Sequence, residues 1–142
     1  MKGVDVVSEE KIRLHTDLIV YRQAFDTAMQ IFEISKTFPK EERYSLTDQI
    51  RRSSRSVCAN LAEAWRRRRY EKSFINKLSI SESEAAETQV WIEFALRCEY
   101  LTDEQARTLY REYHTIIGSL VKMINQPEKW LLPGKNEPDT DD

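Results

Sequence analysis

From Glu71 to Tyr100 the chain runs through thirty residues without a proline or glycine. Within that run Phe74, Leu78, Ser81, Ala85, Thr88, Ile92 and Ala95 recur at alternating steps of four and three. A period of 3.5 held through three heptads puts one apolar stripe along one side of a long helix. Such a helix must bury its stripe against others, and the near-3.5 period suits slightly supercoiled antiparallel neighbours. The whole chain of 142 residues holds only 3 Gly and 4 Pro. That is too few for the many tight turns of a sandwich or barrel. A chain of this length is about one domain and buries roughly two thirds of its surface.

Three further helices read out on either side. Leu18, Tyr21, Phe25, Ala28 and Phe32, widened by Ile31 and Ile34, form an amphipathic pattern that Thr16 or Asp17 would cap and Phe38-Pro39 would end. Leu46, Ile50, Val57, Leu61 and Ala64 share the next helix face, which begins either at Pro39–Glu42 or at Ser45. Ser53, Ser54, Cys58, Ala59 and Ala62 on that helix are small enough for close helix approach. Thr102-Asp103-Glu104-Gln105 has capping-box spacing and opens a fourth helix, with Ala106, Leu109, Tyr113, Ile116, Leu120 and Ile124 on its core face. Pro127 forbids its continuation. Four long helices with short connections predict an all-α, antiparallel up-down-up-down four-helix bundle over residues 16–126. Residues 1–15 read as a loose N-terminal arm, and 127–142 as an acidic, disordered C-terminal tail.

No stretch approaches the ~20 apolar residues of a membrane span. Asp and Glu near the N-terminus break any signal-peptide core. Cys58 and Cys98 fall within helical patterns, as two reduced, semi-buried thiols of a cytoplasmic protein would.

The formal net charge of −2 conceals an asymmetry. Between Arg43 and Lys77 the balance is +7, so the rest of the chain totals −9. With Arg51 at 0° and 100° per residue, Arg55 falls at about 40°, Arg52 at about 100°, Arg66 at about 60° and Arg69 at about 0°. The apolar residues cluster near 260° on the same wheel. If the helix continues to Arg69 the basic stripe is ~27 Å long. Arg51, Arg52, Arg55, Arg66, Arg67, Arg68 and Arg69, assisted by Lys72 and Lys77, form a candidate nucleic-acid surface, because guanidinium forks grip phosphate oxygens in pairs. The competing expectation is a structural or protein-interaction oligomer, in which these arginines pair with Glu residues of a neighbouring subunit. Asn60 and Glu63 flank the apolar face of the same helix and read as structural specifiers, hydrogen-bonded to a neighbouring helix terminus or subunit.

Catalytic constellations are weak. Neither His15 nor His114 lies in the Glu-x-x-His pattern of di-iron bundles, no Cys-x-x-Cys supplies a zinc site, and no glycine-rich phosphate loop is present. Glu84, Glu87 and Glu63 alone make a poor metal set. Neither cofactor nor metal is expected. Arg107 and His114, seven residues apart on one helix face, resemble the loose Arg-x4–6-His signature of HEPN-type ribonucleases, in which the pair supports cleavage through the RNA 2′-hydroxyl.

The order of motifs carries a resemblance over roughly residues 16–126. Leu18-x-Val20-Tyr21-x-x-Ala24, Phe38-Pro39-x-x-Glu42 and Leu46-x-x-Gln49-Ile50-Arg51-Arg52 come first. Val57-Cys58-Ala59-Asn60-Leu61-Ala62-Glu63-Ala64 and Ser83-Glu84-Ala85-Ala86-Glu87-Thr88-Gln89 follow. The chain resembles the bacterial four helix bundle proteins related to those encoded in intervening sequences of 23S ribosomal RNA genes. It is similar too to the accessory protein of diversity-generating retroelements. The resemblance implies an antiparallel bundle assembled into a homopentameric, barrel-like ring. For the retroelement relative it implies nucleic-acid binding and partnership with a reverse transcriptase. Arg51, Arg52, Asn60 and Glu63 carry over as family-typical positions. Ala64 stands where the family usually has Gly, and Cys58-Ala59 where it commonly has Pro. The resulting expectation is a non-enzymatic ring-forming homo-oligomer binding RNA or DNA through the arginine stripe, with no membrane partner.

Overall fold

The structure, a computed structural model, describes residues 12–133. Four helices account for most of it: α1 (Ile19–Ser35), α2 (Leu46–Arg66), α3 (Glu71–Arg97) and α4 (Asp103–Asn125). Each packs on the helix before and after it, and α1 closes the circuit against α4. The result is an antiparallel four-helix bundle, with α1 and α3 on opposite corners.

The α3 stripe is the spine of the core. All seven of its periodic positions are buried, as are Leu46, Ile50, Val57, Leu61 and Ala64 of α2 and Ala106, Leu109, Tyr113, Ile116 and Leu120 of α4. Small residues bring α2 and α3 close together. Buried hydroxyls then bridge them: Ser81 Oγ donates to the Val57 carbonyl at 2.7 Å, and Thr88 Oγ1 to Ser53 Oγ at 2.8 Å. A buried hydroxyl without a partner costs about 1–3 kcal/mol, so each bridge also fixes register.

The α1 stripe differs from its sequence expectation. Leu18 is buried, but the helical residues facing the core are Val20, Ala24, Thr27, Ile31 and Ser35. Tyr21, Ala28 and Phe32 are only half-buried, and Phe25 lies outside at 47% exposure. Two periodic stripes run side by side here, and the bulkier one is not the core. The core side of α1 carries small and β-branched side chains, and α2 is its main packing partner.

The ends follow local chemistry. Asp17 caps the one-turn helix His15–Asp17 rather than α1, with Oδ2 accepting from the Arg13 and Leu14 amides at 3.0 and 3.1 Å. Lys40–Glu42 forms a second such turn before α2. Ser45 holds the N-cap position of α2 without capping it; its hydroxyl donates to Glu42 Oε1 at 2.6 Å, and that oxygen also accepts from the Leu46 amide at 3.1 Å. Thr102 and Gln105 form the expected capping box. α3 closes on Glu99 at φ 66°, with the Tyr100 amide reaching the Ala95 carbonyl and the Glu99 amide that of Leu96. That is a Schellman closure with a side chain where glycine is preferred.

Both flanking segments pack more than the sequence suggests. Ile12 lies against the core, and Trp65 Nε1 donates to the Arg13 carbonyl at 3.0 Å. Pro127–Lys129 forms a turn, and Trp130 and Leu131 fold back onto the bundle. The remainder of the expected arm and tail, residues 1–11 and 134–142, lies outside the described residues. No helix among the described residues is long and apolar enough to cross a membrane.

Candidate functional site

The arginine stripe divides into groups with different partners. α2 stops at Arg66, so Arg67 to Arg69 belong to the α2–α3 turn and no helical stripe reaches Arg69. Arg52, Arg55 and Arg66 remain on the outward arc of α2. From Arg52 to Arg66 the helix rises ~21 Å. All three are exposed, as are Arg69 and Lys72. Among the described residues none of these five makes an ion pair. Arg55 is nonetheless in contact with α1, its guanidinium 5.9 Å from the Phe32 ring centroid.

Arg51 is different. Its Nε donates to Ser35 Oγ at 2.8 Å and Nη2 to the Phe32 carbonyl at 3.4 Å, while the guanidinium lies 4.8 Å from the centroid of the Phe32 ring. It satisfies the last turn of α1, where carbonyls lack helical partners and the helix dipole favours a cation. Arg51 therefore ties α1 to α2. Lys77 also leaves the candidate surface, since its Nζ is 2.9 Å from Glu63 Oε1. Glu63 thus bridges α2 to α3. Asn60, expected to reach a neighbouring helix terminus or subunit, donates to Ser56 O at 3.0 Å and Ser56 Oγ at 2.9 Å within its own helix.

The turn is tightly built. Arg68 Nε donates to the Trp65 carbonyl at 2.8 Å, and its guanidinium stacks 3.7 Å from the centre of the Trp65 ring. Burial, and next the charge of Arg66, lower the Arg68 pKa. Trp130 meets Trp65 edge-on at 6.1 Å, and the Leu132 amide donates to the Arg68 carbonyl at 3.2 Å. Arg67 Nη1 donates to Ser73 Oγ at 3.3 Å. Arg67 and Arg68 are thus engaged within the fold, which leaves Arg66, Arg69 and Lys72 as a basic corner where α2 hands over to α3. Glu71 is the acid within that corner, and the first turn of α3 adds the positive end of its dipole. The Trp65–Arg68–Trp130 stack was not singled out from sequence. Its signal was Trp65 lying on the core side of α2, directly before the arginine run.

At the other end of α2, Arg52 and Arg55 line a groove of about 550 Å³ with Gln49, Ser56, Glu84 and Glu87. Burial, and then Glu87, raise the Glu84 pKa. Glu87 Oε2 accepts from Trp91 Nε1 at 3.1 Å. These acids temper the positive field at Arg52 and Arg55, so the corner at Arg66 to Lys72 is the more strongly basic end. Cys58 is buried, which pushes its thiol up to about 11, whereas Cys98 is exposed. Arg107 and His114 line one α3–α4 groove of about 530 Å³, floored by Ile92 and Ala106 and shared with Tyr110 and Arg111. Neither is held by a hydrogen bond or ion pair among the described residues.

Helix order, antiparallel packing and small-residue α2–α3 contacts define an all-α four-helix bundle protein whose most distinctive surface is basic. The sequence matches the 23S rRNA-intervening sequence protein family over residues 16–125, and the chain belongs to that family. A solved structure similar to it is a protein of unknown function from the S23 ribosomal protein family of Bacteroides thetaiotaomicron VPI-5482. That protein is 32% identical, with a TM-score of 0.67, and the match covers 75% of this chain and 98% of that one. Comparison with curated proteins gives no match.

Proposed function

We propose that this protein is a non-enzymatic homo-oligomer that binds nucleic acid through the outer face of α2 and the basic corner after it. The observation that carries this is that Arg52, Arg55, Arg66, Arg69 and Lys72 sit exposed with no carboxylate partner among the described residues. Ordinary surface charges on a soluble helix are mixed in sign. Here Arg52, Arg55 and Arg66 lie on the outward arc of α2, with Arg69 in the turn and Lys72 in the first turn of α3, and guanidinium groups match phosphate geometry. The contacts address phosphates, which supply affinity but not base sequence.

Self-association is supported by two apolar patches on opposite corners. Phe25 and Met29 on α1 are 47% and 45% exposed, and Val90 and Phe94 on α3 are 41% and 54% exposed. Two different patches facing away from each other suit a heterologous contact, which closes into a ring when the rotation permits. The subunit number of five comes from the family resemblance alone.

Anisotropy titration of a short fluorescein-labelled RNA and of a DNA duplex tests the reading. Binding at low salt that is lost in Arg52→Ser/Arg55→Ser/Arg66→Ser/Arg69→Ser, with the fold intact by circular dichroism, supports it. No binding of either probe at low salt overturns it. RNA cleavage abolished by His114→Ala would replace it with the ribonuclease reading.

A further inference from the structure

We propose that Tyr44, with the guanidinium of Arg43 against its ring, is a stacking site for an unpaired base, so that a single-stranded nucleic acid gains a contact here that a duplex cannot make. This rests on the nucleic-acid reading above and names the class of strand. Tyr44 lies in the α1–α2 connection, two residues before α2, and at 84% it is the most exposed of the large apolar side chains among the described residues. A ring so exposed adds little to the stability of the fold. The other rings at this end of the bundle have partners. Phe38 is buried and meets Tyr100 at 5.5 Å, the Tyr100 hydroxyl donates to Glu42, and Phe32 lies under the cations of Lys36, Arg51 and Arg55. Tyr44 instead meets Arg43, whose guanidinium lies 5.6 Å from the ring centroid and whose Nη1 donates to the Tyr44 hydroxyl oxygen at 3.4 Å.

Arg43 takes one face of the ring, and the high exposure leaves the opposite face open to a base. Every base has a π-face, so such stacking tolerates any sequence. The surroundings are those of a phosphate site. Lys40 and Arg43 are exposed and make no ion pair among the described residues. Of the acids beside them, the Glu42 carboxylate is spent on Ser45, Tyr100 and the Leu46 amide, Glu33 is paired with Lys36, and Glu41 is the exposed one. Farther along, exposed Arg52 and Arg55 stand ~9 and ~14 Å beyond Leu46 on the α2 axis. A lone exposed aromatic calls for no explanation. This one carries a guanidinium on its ring and stands at the head of the cationic face of α2. Within a duplex the bases are stacked on one another, whereas an unpaired base can be splayed out onto a side chain. Phosphate contacts therefore serve duplex and single strand alike, and Tyr44 serves the single strand only.

The test compares the parent chain, Tyr44→Ala and Tyr44→Trp by anisotropy at low salt. The fluorescein-labelled probes are oligothymidylate, oligouridylate, an abasic strand of the same length, and the DNA duplex. The abasic strand keeps the phosphates and lacks the bases. Tyr44→Ala should weaken binding of oligothymidylate and oligouridylate about 5- to 30-fold, the range of one stacked base. It should leave the abasic strand, the duplex and the urea midpoint unchanged, and Tyr44→Trp should bind at least as tightly as the parent. Stacking engages the base and not the sugar, so the dependence on Tyr44 holds for both strands, and the tighter of the two identifies the ligand as RNA or DNA. Oligothymidylate and oligouridylate binding that Tyr44→Ala leaves unchanged overturns the stacking site. An equal loss on the abasic strand or the duplex also overturns it, as does a change of oligomer in Tyr44→Ala by light scattering, which would place the ring in a subunit contact. In each of these cases parental binding of the duplex leaves the nucleic-acid reading standing. A parent chain that binds none of the probes overturns both.

Discussion

Arg51 and Arg52 are adjacent in sequence and read alike on a helical wheel, yet they should respond to mutation in opposite ways. Arg51→Ala removes a 2.8 Å bond to Ser35, a longer one to the Phe32 carbonyl and a stacking contact with the Phe32 ring. A hydrogen bond from a charged donor contributes about 1.5–3 kcal/mol, and a cation–π contact at a partly exposed site about 0.5–1 kcal/mol. Because Arg51 is only half-buried, water compensates part of the loss, and about 2 kcal/mol is the expected cost. For a domain of this size that lowers Tm by about 6–8 °C. Arg52 is exposed and has no such partners, so Arg52→Ala should stay within about 0.5 kcal/mol of the parent. Urea unfolding of both variants, followed by circular dichroism, measures the difference directly. RNA titration should show the reverse order, with Arg52→Ala weakening binding and Arg51→Ala binding normally below its unfolding transition. Equal stability of the two variants would refute the division of the stripe into a structural and a free part.

Glu42 couples the α1–α2 connection to the α3–α4 turn. Its carboxylate accepts from Ser45, from the Tyr100 hydroxyl at 2.9 Å and from the Leu46 amide, and these bonds hold its pKa below the usual carboxylate range. Its stabilisation is therefore fully present above the unfolded value of ~4.3 and is lost as pH falls through the lower folded value. Glu42→Gln should flatten the acid limb of the urea midpoint plotted against pH; an unchanged limb would remove Glu42 from the account. Glu99→Gly relieves a left-handed residue at φ 66° and should stabilise by about 0.5–1 kcal/mol in the same assay. Destabilisation there would mean that the Glu99 side chain makes a compensating contact.

The bundle was legible because the strongest signals were local. The 3.5 period of α3, the capping box at Thr102 and the break at Pro127 each act within a turn or two, and the structure keeps all three. The α1 stripe failed for the opposite reason. Val20–Ala24–Thr27–Ile31 and Tyr21–Phe25–Phe32 have the same period, and only packing against α2 and α4 decides which faces inward. The basic surface shows the same limit. Its outward placement follows from the wheel, but the capture of Arg51 by Ser35 and of Lys77 by Glu63 depends on partners sixteen and fourteen residues away. The end of α2 at Arg66 was equally hidden, since the arginines that follow are good helix formers. The turn there is held by Arg68 on Trp65 and by Trp130 arriving from the far end of the chain. Phe25 and Phe94 stay about half exposed among the described residues, which is why self-association enters the functional reading.

The most direct test is the slope of log affinity against log salt concentration for the labelled DNA duplex. Each phosphate neutralised contributes about −0.9 to that slope, so engagement of Arg52, Arg55, Arg66, Arg69 and Lys72 predicts a value near −4.5. Arg66→Ser/Arg69→Ser should make it shallower by about 2. A duplex that fails to bind at low salt, or a slope that those two substitutions leave unchanged, would contradict the claim that this surface meets a polyanion.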